Sequence, residues 1–466
     1  MHSIGYRRAR RSASIAIVAM LGVRAAAQEA PPAAAPPDQA PATREPSSPL
    51  TIRLGDAELL FGGFIDATAI RRDANTGSGL GTSFGTIPFA NTVQGHMNDT
   101  QFSSQNSRLS LQATSRAGAA DLKATLEVDF LGNAPNGLNV TTNSNTLRMR
   151  LFWGRYRRGA YEFLAGQSWS LMMPNRDGLS PETTDVFFGQ TVDPNYQMGL
   201  TWGRTMQFRF TAHPNNVVAA GVSVENPDQY VGSGVKLPAA FPSGEVDTGA
   251  AVNDIPNHLP DIVGKIAFDW RKHGTHQHLD AAVLVRSFKA YDPARDAAVT
   301  ATATGGAFTV AVEPVKPLRL IGIGFYSSGG GRYLANTNLP DFIVNADAGI
   351  TLVTTGSYVI GTEIQAAARV APYAYYSEAR ARQAVASDAD GTPIGFGIPG
   401  STAANESIVE ATAGVAYTFF RDPKIGGMQL LVQYSHLRRT PFSVPAGTPP
   451  DASLNMLYFN LRYFLP

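Results

Sequence analysis

From Glu58 to Pro466, polar and apolar side chains alternate in short runs, and a repeat of two residues predicts β-strands. In 121–131, Lys123, Thr125, Glu127 and Asp129 fall on one face, with Leu122, Ala124, Leu126, Val128 and Phe130 on the other. In the same way Arg108, Ser110, Gln112 and Thr114 oppose Leu109, Leu111 and Ala113, and Arg148 and Arg150 oppose Leu147, Met149 and Leu151. Gln207, Arg209 and Thr211 oppose Met206, Phe208 and Phe210, and Lys265 and Asp269 oppose Ile266, Phe268 and Trp270. The predicted strands are 58–70, 102–115, 121–131, 146–156, 160–170, 205–212, 217–225, 261–271, 277–288, 306–313, 318–326, 357–367, 371–380, 407–420, 427–438 and 453–464.

Every second link between these strands is short: 116–120, 157–159, 213–216, 272–276, 314–317, 368–370 and 421–426. The links between those are longer, from 132–145 up to 226–260. A soluble sandwich has no reason to sort its loops by parity, whereas a transmembrane barrel has short periplasmic turns and longer outer loops. The expected fold is all-β, a closed antiparallel transmembrane β-barrel of about sixteen strands. Fourteen and eighteen stay open, because no Gly or Asn marks a turn at 368–370. In such a barrel the apolar face meets lipid and the charged face lines a wet lumen, the inverse of a soluble sandwich.

The N-terminus assigns the compartment. Arg7, Arg8, Arg10 and Arg11 precede the short apolar run 12–23 and the small residues Ala25, Ala26 and Ala27, so 1–27 reads as an export signal peptide. The segment 28–57 reads as a leader in the periplasm, its first part to Leu50 rich in Pro and Ala; 58–466 reads as the barrel, placed in the outer membrane against its lipid. With 38 basic against 37 acidic residues, the chain lacks the concentrated charge of a nucleic-acid binder. It has no cysteine, which excludes disulfide scaffolds, thiolate zinc sites, iron–sulfur clusters and thiol catalysis.

Aromatic residues mark both predicted interfaces. Trp153, Tyr156, Phe210, Trp270, Phe419, Phe420, Tyr463 and Phe464 lie at strand ends beside short turns. Phe102, Phe130, Trp169, Phe325 and Tyr326 lie beside long loops, which makes two girdles. The chain stops in Leu465-Pro466, not on a terminal aromatic.

Five motifs in order carry a family resemblance: Ser107-Arg108-Leu109, Leu126-Glu127-Val128-Asp129-Phe130, Leu147-Arg148-Met149-Arg150, Leu164-Ala165-Gly166-Gln167-Ser168-Trp169-Ser170 and Pro181-Glu182-Thr183. Over roughly 61–227 their order and spacing resemble the N-terminal half of the DcaP-type trimeric outer-membrane porins. Val224-Glu225-Asn226-Pro227 and Pro260-Asp261 resemble later landmarks of that family. The resemblance implies a homotrimeric sixteen-stranded channel that admits small organic anions, dicarboxylates in particular, by passive diffusion. Such porins often carry a coiled coil before the barrel. Here 28–50 has no heptads and many prolines, so a trimer would rest on the barrel walls.

The expected pore-lining residues are Arg108, Glu127, Asp129, Arg148, Arg150 and Arg209. On consecutive strands the cations and carboxylates either pair and stiffen the wall, or leave Arg148 and Arg150 in excess as a positive strip that draws carboxylates. By analogy with trimeric porins, the loop 171–204 is a candidate constriction whose Asp177, Glu182, Asp185 and Asp193 would face the arginines; the alternative is a solvated outer loop.

Competing functions are a barrel-embedded hydrolase and a plugged structural or adhesive barrel. Ser435-His436 is the only strand pair near a hydrolase arrangement, and adjacent strand residues point to opposite faces, so no enzyme is expected. No cofactor is implied. His273, His276 and His278 crowd one turn with no carboxylate cluster beside them in sequence, so no metal site is expected either.

Overall fold

The structure, a computed structural model, describes residues 48–132, 146–182, 197–241, 243–249, 255–292 and 295–466. The signal peptide and the leader up to residue 47 lie outside the described residues, as do Asp185 and Asp193. Sixteen strands form the barrel. In chain order they are β1 (Ala57–Arg72), β2 (Asp99–Ser103 and Arg108–Ala117), β3 (Ala120–Asp129), β4 (Arg148–Arg158), β5 (Tyr161–Trp169), β6 (Arg204–Ala212), β7 (Val218–Glu225) and β8 (Asp261–Lys272). They continue as β9 (Thr275–Asp292), β10 (Ala297–Val315), β11 (Leu318–Ser328), β12 (Thr354–Ile364), β13 (Val370–Ala381), β14 (Asn405–Asp422), β15 (Gly426–Pro441) and β16 (Ala452–Phe464).

Each strand pairs antiparallel with its sequence neighbours, and β16 closes the ring against β1 from Phe64↔Phe464 to Arg72↔Met456. Closure leaves no unpaired edge in lipid, which is why a sheet can span a bilayer at all. The seam is locked from inside by Arg462, which donates to the buried Asp66 at 2.7 and 2.9 Å. Below the end of β16, Thr51–Leu54 pairs with Ala57–Leu60, so the last leader residues extend the wall. Leu465 N–H donates to Gly63 and Ser48 to the Pro466 carbonyl, which ties both ends of the barrel segment together.

All sixteen predicted strands are present, including the pair across 368–370, where Ala367 and Val370 bridge. Two differ in form. Strand 102–115 is broken at 104–107, where Ser107 Oγ accepts from the Asp66 N–H at 2.9 Å. The link 289–305 is not a long loop: β9 and β10 stay paired out to Asp292↔Ala297 and rise as one tall hairpin.

The apolar face points outward. Phe102, Leu109, Phe152, Phe163, Phe208, Phe210, Ile266, Val283, Phe308, Ile360 and Phe459 are exposed, whereas Asp66, Asp129, Arg150, Glu225, Lys265, Arg286, Glu410 and Arg462 are buried within. That inversion makes the barrel a membrane-spanning one of the outer-membrane type. Three aromatics expected in the girdles, Trp153, Trp169 and Phe325, are buried on the inner side instead.

Candidate functional site: the lumen and its inward loop

β4 sets the charge of the inner wall. Arg150 is an extra residue between the pairs Val128↔Met149 and Glu127↔Leu151, a β-bulge. A bulge shifts the side-chain alternation by one residue. Arg148 and Arg150 face inward above it, and Leu151, Trp153, Arg155 and Arg157 face inward below it. Simple alternation sends Leu151 to lipid along with Arg155 and Arg157. The structure corrects this: Leu151 and Trp153 are buried with Leu164, Trp169 and Met173. Opposite the bulge Gly166 adopts φ +131°, and a Cβ there would lie 2.3 Å from the Phe152 carbonyl oxygen, so the Ala165-Gly166-Gln167 motif requires its glycine.

The six expected wall residues lie on the inner side of neighbouring strands, and most of them are paired. Arg150 donates to Glu127 at 2.6 Å and to Asp129 at 2.9 Å, and Arg148 to Asp129 at 3.0 and 2.7 Å. Arg108 stands 3.9 Å from Glu127, its guanidinium over the Phe64 ring. The Arg150 and Asp129 side chains are 0 % exposed, while that of Arg148 is 36 % exposed. Cross-strand pairing therefore describes Arg150, and Arg148 is where the ladder reaches water. Arg209 does not line open space: it is sealed beneath the loop, donating to the carbonyls of Trp169 and Leu179 and to Gln207.

The loop after β5 folds into the barrel. From Trp169 it descends to Asp177 and Gly178, which share a cavity of about 310 Å³ with Arg155, Arg157, Glu162 and Asp269 near the short turns. Trp169 and Glu162 lie seven residues apart on β5, a drop of about 20 Å. By Pro181 the chain has climbed back to the level of Ser168, whose hydroxyl donates to the Pro181 carbonyl. Inward strand groups hold each step: Glu225 accepts from Leu171 N–H, Lys265 Nζ donates to the Met173 carbonyl and Asn175, Asp280 accepts from Asn175 N–H, and Asp269 from Gly178 N–H. The returning segment is fixed to the other side of the ring. Gln197 donates to Ser377, Met198 N–H to Glu410, and Ser357 to the Gly199 carbonyl. The loop thus crosses the lumen.

Of the expected loop carboxylates, Glu182 is ion-paired with Lys123 on the basic wall. Asp177 sits beside His276 and lines the same cavity as Arg155 and Arg157. The histidines differ from expectation, because folding brings carboxylates to them. His278 is buried between Asp269 (2.7 Å) and Asp280 (3.0 Å), and His276 stands 3.3 Å from Asp269. Ser435 is buried against Thr412, while the exposed His436 meets Asn455, so those two do point to opposite faces.

A second polar centre has no counterpart in the sequence analysis. Buried Arg286 pairs with Asp261 (3.0 Å) and Asp341 (2.7 Å); Arg332 pairs with Asp261 (2.9 Å), and the Tyr333 hydroxyl donates to Asp261 at 2.9 Å. This network docks the loop 329–353 beside a cavity of about 850 Å³ toward the long-loop end, lined among others by Arg204, Glu225, Asp228, Asp247 and Arg332. Asp261 and Arg286 face each other across the neighbouring strands β8 and β9, but Asp341 and Arg332 come from the loop, and strand periodicity marks no partner that remote.

No protein-family model matches the chain, and no curated protein matches it. Solved structures do. The outer-membrane channel DcaP of Acinetobacter baumannii matches at 18 % identity over 88 % of this chain and 97 % of its own, with a TM-score of 0.62. An anion-selective porin from Comamonas acidovorans (10 % identity, 88 % and 99 % covered, TM-score 0.47) and Salmonella typhi OmpF (11 %, 89 % and 99 %, 0.49) match more loosely. With sixteen closed strands, an apolar exterior and a loop laid across its lumen, the chain has the fold of the DcaP outer-membrane channel.

Proposed function

We propose that the protein is a porin that lets small solutes diffuse passively across the outer membrane, favouring organic anions such as dicarboxylates, and that it assembles as a homotrimer through its barrel walls. The observation that carries this is the inner face of β2–β4. Register places Arg108, Arg116, Lys123, Arg148, Arg150, Arg155 and Arg157 there, seven cations, against four carboxylates, Asp99, Asp121, Glu127 and Asp129, the first of which pairs with Arg72 of β1. An excess of one sign along a low-dielectric wall raises the local concentration of the opposite ion. Arginine suits carboxylates because its planar fork binds both oxygens and keeps its charge. Asp177 and Asp269 across the 310 Å³ cavity from Arg155 and Arg157 would set a field across the narrow part of the path. Glu127 and Asp129 then act as the struts that hold Arg150.

The apolar packing of loops inside the barrel favours a second reading, a plugged structural or adhesive wall. Leu80, Phe84, Ile87, Leu171, Met198, Leu334 and Ile343 are buried in one cluster with inward strand residues such as Val263, Ile321, Tyr373 and Leu454. Planar-bilayer recording separates the two. A porin gives discrete conductance steps, in threes for a trimer, and a reversal potential of anion-preferring sign in a disodium succinate gradient. A silent barrel retires the channel, and a cation-preferring sign retires the arginine wall.

A further inference from the structure

We propose that Asp177, Asp269 and His276 bind one divalent transition-metal ion of the Zn²⁺ class, which clips the inward loop to the short-turn end of the barrel. One ligand atom from each lies within 4.8 Å of the others. His276 Nε2 stands 3.3 Å from Asp269 Oδ1 and 3.8 Å from Asp177 Oδ1. Ligands about 2.1 Å from a tetrahedral ion are about 3.4 Å from one another, so the two edges from His276 are spaced as those of such a site. Three protein ligands leave a fourth position for water, and the adjoining cavity, which Asp177 and Asp269 both line, supplies it.

The surroundings orient two of the three ligands. Asp269 accepts from Gly178 N–H at 2.9 Å through one oxygen and is bonded by His278 Nδ1 at 2.7 Å through the other. His278 is held in turn by Asp280 at 3.0 Å, and Asp280 by Lys265 at 3.0 Å. The His276 backbone is fixed by Glu313, which accepts from its N–H at 2.8 Å. Such outer partners tune metal ligands and keep them in place. Asp177 is the hinged member: its side chain is 77 % exposed and comes from the loop, so an ion would gain its third ligand by securing the loop. One imidazole with two carboxylates selects a borderline ion; Mg²⁺ and Ca²⁺ prefer all-oxygen shells.

The test is a Zn²⁺ titration of the refolded full-length barrel in detergent by calorimetry, with folding of each variant checked by unheated gel mobility. Wild type is expected to take up one ion per chain saturably. D177N and H276Q should each weaken binding by about 10- to 100-fold or more, the scale on which even outer partners act. H273Q alters a turn histidine outside the trio and should bind as wild type does. Absence of saturable uptake by wild type overturns the proposal, and so does wild-type affinity in both D177N and H276Q. Binding is read without conductance, so the outcome stands apart from the channel reading.

Discussion

The two sides of this barrel solve the inward face in opposite ways. The wall β3–β7 is short, with strands of 8 to 11 residues, and its inner rows carry ions paired from strand to strand. The wall β9–β16 reaches 18 and 19 residues in β9 and β10, and its middle rows turn apolar and aromatic side chains inward: Leu284, Ile321, Ile323, Phe325, Tyr373, Tyr375, Ile408 and Leu437. Apolar groups facing a lumen need a cover, and the long loops supply it from above. The short wall joins strands by ion pairs, holds the loop 171–182 through polar groups such as Ser168, Arg209 and Glu225, and leaves polar space; the tall wall holds its loops by apolar packing. The difference puts ion-paired rows on one side and apolar loop packing on the other.

Removing Asp129 tests the short wall with the largest effect. Its carboxylate accepts from two arginines and from Leu131 N–H, so Asp129→Ala leaves Arg150 buried with Glu127 alone. Breaking a buried charge pair costs about 3–5 kcal/mol, and urea unfolding in lipid micelles, followed by tryptophan fluorescence, should show a loss of that size. A loss under about 1 kcal/mol would mean that water screens the ladder as it does a surface pair, and the contrast between the walls would go.

Leu80→Ala probes the other side. Leu80 belongs to the apolar cluster under the tall wall, and a buried Leu-to-Ala change costs about 2–5 kcal/mol. Here the cost falls on loop docking more than on the sheet, because Leu80 sits in the connection 73–98 and not in a strand. The expected outcome is a larger and noisier unit conductance, faster proteolysis in 73–98 and an unfolding midpoint shifted less than in Asp129→Ala. An equal shift in both variants would erase the distinction.

How much of this was legible beforehand follows the same divide. Strand number, parity and the outward apolar face could be read because a period of two is local, and Leu126 and Phe208 carry it without reference to anything distant. The ion ladder of Arg108, Glu127, Asp129, Arg148 and Arg150 was legible because its partners are sequential strands. Arg155 and Arg157 were not, since one bulged residue at Arg150 inverts the phase and period counting has no term for it. Leu151 and Trp153 were misplaced for the same reason. The His278–Asp269 and Arg286–Asp261 pairs join the neighbouring strands β8 and β9 and were within reach of the same reasoning, whereas Asp177, Asp341 and Arg332 come from loops remote in sequence, where alternation carries no information.

Arg155 and Arg157 give the smallest and most selective test. Both point into the 310 Å³ cavity, Arg155 stands 3.6 Å from the buried Glu162, and neither belongs to the Asp129 ladder, so their removal should cost less stability than Asp129→Ala. In the double variant Arg155→Ser/Arg157→Ser the wall keeps Asp99, Asp121, Glu127 and Asp129 while its cations fall from seven to five. The anion-to-cation permeability ratio from reversal potentials in disodium succinate should then drop roughly threefold, with most of the unit conductance retained. Arg148→Ser, at the opposite end of the same strand, should reduce the ratio less, because Asp129 already neutralises that arginine in part. If Arg148→Ser has the larger effect, the selective field lies at the long-loop end, the ladder and not the cavity sets the charge preference, and the short wall must be redrawn with its filter above the bulge.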